Sequence, residues 1–200
     1  MKTLLPLMML LLLVGCSSEP PKPAEKPQPK GPELVTGRTA FQKLYVAARG
    51  WARDAQPYRL ESMGSADSKG ADGKADVWRA SFASASQRGV KPYTWSGTDA
   101  ADAPSRGVNP GNEDNYNPGN SSTQVFDMAF LKVDSDKAFE VAQQHGGDKV
   151  LQKTPDTLIH YTLDWSRANN ELVWHVAYGA GLNFLVDVNA STGEFIRVQK

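Results

Sequence analysis

A six-residue pattern occurs twice in the chain and constrains its fold more than any other feature. Val77-Trp78-Arg79-Ala80-Ser81-Phe82 aligns with Val173-Trp174-His175-Val176-Ala177-Tyr178, both reading Val-Trp-basic-x-x-aromatic. Upstream, Ala40-Phe41 aligns with Ala138-Phe139, so the Phe-to-Trp spacings are 37 and 35 residues. Each copy stands in the same order of elements, a helix followed by strands. Phe41, Leu44, Tyr45, Ala48, Trp51 and Ala52 recur at helical spacing within 38–55, and Thr39 with Gln42 fits a capping box. Alternation then predicts strands over 58–63, 77–86 and 90–96, with a Gly/Asp/Ser/Lys-rich loop over 64–76.

In the second half, Asp134 or Ser135 caps a helix running to about Gln144, which Gly146-Gly147 is expected to end. Strands are predicted over 157–165, 171–178, 182–188 and 194–198. An amphipathic helix with one apolar stripe needs a sheet face to cover it. The expected fold class is therefore α+β, two tandem units, each one helix packed on a small antiparallel β-sheet. The first unit would span 34–97 and the second 123–200. Between them, 98–122 is Asn/Pro/Gly-rich and holds two Asn-Pro-Gly-Asn copies, at 109–112 and 117–120. So long a stretch without periodicity reads as a linker or as a binding loop.

The second half carries a family resemblance. Asp134-Ser135-Asp136-Lys137-Ala138 opens a helix, Leu172-Val173-Trp174-His175-Val176 follows, and the end runs Leu185-Val186-Asp187-Val188-Asn189-Ala190-Ser191-Thr192-Gly193-Glu194. Together these resemble a PepSY domain, with one residue more in the Asp-to-Thr-Gly-Glu segment than the commonest form. The likeness covers 134–200 and reaches 38–97 only through the internal repeat. It implies a cystatin-like helix on a small antiparallel sheet, and a non-enzymatic role in binding or restraining proteins such as peptidases.

Composition is uneven along the chain. Seven of 13 prolines fall in the first 32 residues and all 18 aromatic residues fall after residue 40, which separates a leader from a folded part. Lys2 is followed by an apolar stretch, Leu4 to Val14, the length of a signal-peptide core and too short to span a bilayer. It ends in Leu13-Val14-Gly15-Cys16, which resembles a bacterial lipobox. Residues 1–15 are thus expected to be a lipoprotein signal peptide. Cys16, the single cysteine of the chain, is the expected lipidation site, carrying diacylglycerol and an acyl chain such as palmitate. Ser17 in the sorting position points to the outer membrane, facing the periplasm, or to the cell surface where the host has one membrane. Residues 16–33 hold six prolines and no large aliphatic residue, a polyproline II tether reaching roughly 50 Å.

Charge and motifs then narrow the function. The chain has 22 basic and 22 acidic residues, and 34–200 alone has 18 and 19, so no basic excess offers itself to nucleic acid. No nucleophile elbow, zinc-protease helix motif or phosphate-cradling loop is present, and no catalytic residue, cofactor or metal is expected. His160 and His175 lie on adjacent predicted strands without a third ligand at diagnostic spacing, so they read as polar positions on the outer sheet face. His145 is expected near the helix C-terminal carbonyls. Asp67, Asp72 and Asp76 lack the ligand pattern of a calcium loop. Trp51, Trp78 and Trp174 sit on predicted core faces, whereas Trp95 and Trp165, near strand ends, are the candidates for exposure. The leading expectation is a lipid-anchored cell-envelope protein with a membrane contact through Cys16 and a protein or peptide partner. The alternative is a periplasmic protein binding a small ligand.

Overall fold

The computed structural model describes residues 30–65, 68–179 and 184–199; Cys16, the expected signal peptide over 1–15 and most of the expected tether over 16–33 lie outside them. The chain runs through β1 (Val35–Thr36), α1 (Gly37–Trp51), β2 (Gln56–Ser62), β3 (Lys74–Ala75), β4 (Val77–Ser84), β5 (Gly89–Ser96), β6 (Gly107–Pro110) and β7 (Asp114–Asn115). It continues through α2 (Ser135–Ala142), a π turn (Gln143–Gly147), α3 (Asp148–Lys153), β8 (Ile159–Ser166), β9 (Glu171–Tyr178), β10 (Phe184–Asn189) and β11 (Phe195–Gln199). Among the described residues no helix is long and apolar enough to cross a membrane.

The two halves do not form two tandem units. Apart from β1 and β3, which pair with each other, their strands belong to one nine-stranded antiparallel sheet, in the order β11-β10-β9-β8-β2-β4-β5-β6, with β7 also pairing β5. The seam is β2 against β8, with Arg59 opposite Asp164, Leu60 opposite Leu163 and Glu61 opposite Thr162. A unit of about 60 residues buries too little surface to be robust alone, and its first strand would leave an open edge. Joining β2 to β8 removes two such edges and merges the cores. Residues 107–110 and 114–115, in the stretch read as a linker or loop, extend the same sheet as edge strands on β5.

Both helices cover the same face. α1 packs on β4 and β5 with Ala40, Phe41, Leu44 and Ala48 buried, and α2 packs on β9 and β10 with Ala138, Val141 and Ala142 buried. Trp78 and Trp174, the paired tryptophans of the repeat, are fully buried and meet edge to face, ring centroids 6.5 Å apart. Each satisfies its indole N–H on a carbonyl two residues before a helix: Trp78 on Val35 O at 3.0 Å, Trp174 on Val133 O at 2.9 Å. Gly37 is required here, because a Cβ at this position would lie 2.7 Å from Cη2 of Trp174.

The helix starts are joined rather than capped separately. The expected Thr39–Gln42 capping box lies inside α1, and Thr36, its N-cap, makes no side-chain cap. Instead the Gly37 N–H donates to Ser135 Oγ at 2.8 Å and the Arg38 N–H to Asp134 Oδ1 at 2.9 Å. Asp134 Oδ1 also accepts the Ser135 N–H at 2.7 Å, so it caps its own helix as expected. Gly146-Gly147 does not end the second helix. Gly146 takes φ +112° in the π turn, and helical geometry resumes as α3, whose Val150 and Leu151 pack on the core.

Candidate functional site

The sheet's outer face carries a row of alternating charge across six strands. From β4, Arg79 Nε reaches Glu61 Oε1 at 2.7 Å, and Arg59 beside it on β2 reaches Glu61 Oε2 at 3.3 Å. Across the seam, Arg59 Nη1 lies 3.5 Å from Asp164 Oδ2. On β9, His175 stands between two carboxylates, its Nε2 3.2 Å from Asp164 Oδ1 and its Nδ1 2.6 Å from Asp187 Oδ1. Asp187, on β10, completes the row by accepting from Arg197 Nε at 2.7 Å and Gln199 Nε2 at 2.9 Å.

These contacts set the chemistry of His175. Burial would push its pKa down, but the hydrogen bonds and charges of Asp164 and Asp187 outweigh burial and hold it up at about 9. Burial would push Asp187 up, but His175, Arg197 and Gln199 hold it below the usual carboxylate value. A ring donating from both nitrogens is an imidazolium at neutral pH and has no lone pair to accept a proton. The arrangement ties strands together; it is not that of a general base.

His160 lies on the same outer face but opposite Ala177, whereas His175 lies opposite Thr162, so the two rings are two residues out of step. His145 is in the π turn and stacks on Phe195, ring centroids 3.7 Å apart and 6° from parallel. Among the described residues no group of three or more His, Cys, Asp or Glu is placed to hold a metal ion. Asp76 is buried and accepts from Ser65 Oγ at 2.6 Å, Asp72 sits at φ 55°, and Asp67 lies outside the described residues. Trp95, expected to be exposed, is buried at 4%, with Lys43 Nζ 4.5 Å from its ring centre. Trp165 is half-buried against Phe130. Cys16 lies outside the described residues.

Two clefts of comparable volume open along the sheet. One, of about 570 Å³, lies by β4 and is rimmed by Arg49, Gln56, Ala83, Tyr116 and Pro118. Its carboxylate, Asp54, is held well below the usual carboxylate range by Ser84 and Ser86. The other, of about 520 Å³, lies at the opposite end of the sheet, between the π turn and α3 above and β10 and β11 below. Val150, Phe184 and Val198 give it an apolar lining, and His145, Lys149, Lys153 and Thr154 give it polar groups.

This second cleft runs beside a sheet edge. β11 is the last strand in the order, and among the described residues nothing pairs with its outer side. Its ladder with β10 is regular from Arg197 to Gln199, after a bulge at Ile196. The opposite edge is blunted by short strands, β6 ending in Pro110. The sequence reading missed the cleft because it ended the helix at Gly146-Gly147. Val150 and Leu151, nine residues beyond Val141 and Ala142, were the signal that helical covering of the sheet continues.

No family model matches the chain, and no curated protein or solved structure matches it either.

Proposed function

We propose that this chain is a peptide-binding module, held at the cell envelope by lipid on Cys16, that takes an extended segment of a partner protein as an added strand on β11. The observation that carries this reading is the outer edge of β11, unpaired among the described residues and opening beside the cleft. An added strand gains main-chain hydrogen bonds for affinity, and its alternate side chains enter the neighbouring cleft for specificity. Val198, which pairs with Val186 and faces the helical layer, marks the side on which those side chains would enter. The edge and the cleft both belong to 134–200, the part that resembles PepSY. Carriage of a small molecule would draw on the cleft's volume alone and gives β11 no role, so strand addition is preferred.

Panning a random peptide library on the full chain tests this. Extended binders will be enriched, and Val198→Trp, which fills the cleft beside the strand, will abolish their binding. Enrichment of nothing, or of binders indifferent to Val198→Trp, would overturn the proposal. For the anchor, Cys16→Ser will move the chain from the membrane fraction to the soluble one.

A further inference from the structure

On the strand-addition reading just given, we infer that the partner segment is acidic, carrying carboxylates at alternate positions that meet Lys149 and Lys153. On the outer face, Arg59, Arg79 and Arg197 are each held by a carboxylate. The cleft breaks this pattern. Its lining holds His145, Lys149 and Lys153 and no carboxylate, and among the described residues neither lysine has an ion-pair partner. Both lysines are exposed, so their charges are available to an incoming chain.

Spacing narrows the ligand further. Lys149 and Lys153 are four residues apart on α3, about 6 Å along a helix axis. Same-side residues of a strand recur about every 6.7 Å. An Asp/Glu-x-Asp/Glu segment entering beside β11 has the carboxylate spacing that matches the two ammonium groups. Between them, Val150, Phe184 and Val198 offer apolar surface for a neighbouring inward side chain. A second copy of this chain fits less well. Pairing β11 to β11 would bring two cationic clefts together, with no carboxylate from either lining to offset them.

The test compares two short extended peptides on the full chain in detergent, one with glutamates at alternate positions and one with glutamines there, by fluorescence anisotropy. Exposed ion pairs are individually weak, so the glutamate peptide is expected to bind roughly 3- to 10-fold tighter. That preference will shrink as salt is raised and its charges are screened. The double variant Lys149→Gln/Lys153→Gln will bring the two peptides level. A thermal melt matching the parent will show that the variant is folded. Equal binding of the two peptides to the parent chain would overturn the acidic ligand and leave strand addition standing. A glutamate preference that survives in the double variant would also overturn the role of these lysines. Binding of neither peptide, or dimerisation through β11 in their place, would overturn both readings.

Discussion

Stability of the folded chain should fall as pH rises from about 6 to about 10, and His175 should be the cause. The native imidazole is held up at about 9 against an ordinary value of 6.5, by Asp164 and Asp187. Between those values the native chain keeps a proton that the unfolded chain has released. The stabilisation is thus complete below about 6.5, declines through the interval, and is gone above about 9. At about 1.4 kcal/mol per pH unit the gap is worth about 3 kcal/mol, a large share of a domain's total. Screening removes little of this, since the His175 side chain is 20% exposed and that of Asp187 is 2% exposed. Urea unfolding measured across this range will show the decline in the parent chain. In His175→Gln the decline between about 6.5 and about 9 will be absent, and the two chains will converge at the upper end of that interval. Parallel curves, or a His175 ring that titrates near 6.5 by NMR, would refute the assignment. On the acid side, Asp187 is held below 3.8, so its contribution is present above that value and lost as pH falls through its lowered pKa.

Two further perturbations address the joined core. Gly37→Ala places a Cβ 2.7 Å from Trp174 and 3.1 Å from Trp78, two rigid rings, and will cost about 1–3 kcal/mol with a loss of near-UV circular dichroism; a stabilised variant would contradict the packing. Residues 34–122 expressed alone will lack β8, the partner of β2, and the half of the core that covers Trp78. Their amide NMR spectrum will be that of an unfolded chain, whereas a dispersed spectrum would mean that the first half folds by itself.

Local pattern carried most of the elements but not their assembly. The strand over 171–178 has the bounds that alternation predicts, and the strands at 77–84 and 89–96 lie within two residues of theirs. Alternation within 182–188 puts Val186 and Val188 on one side and Asp187 on the other, and the two valines are indeed buried in the core while Asp187 makes its ion pairs on the outer face. The repeat marked a real equivalence, since Trp78 and Trp174 play matching parts beneath their helices. What it did not reveal is that the halves share one sheet. The β2–β8 pairing joins residues about a hundred positions apart, and no period of 2 or 3.6 encodes a partner strand.

The same distance hid the capping of α1. Its first N–H groups are satisfied by Asp134 and Ser135, so Thr36 needs no side-chain cap and the Thr39–Gln42 pattern has no capping role. The environment of His175 required register as well as facing. Its position on the outer face was readable, but Asp164 and Asp187 become its partners only once β8, β9 and β10 are aligned. The cleft was hidden because a Gly-Gly pair ordinarily ends a helix. Here Gly147 instead gives close passage to the Tyr178 hydroxyl, which a Cβ would approach to 2.2 Å, and the chain turns back into helix.

Deuterium exchange on the full chain, with and without a bound extended peptide, tests strand addition most directly. Outward-pointing amides of β11, within Phe195–Gln199, will become protected when the peptide binds, and those of β6 at the other edge will not change. Peptide binding that leaves the exchange of every β11 amide as it was would contradict the account.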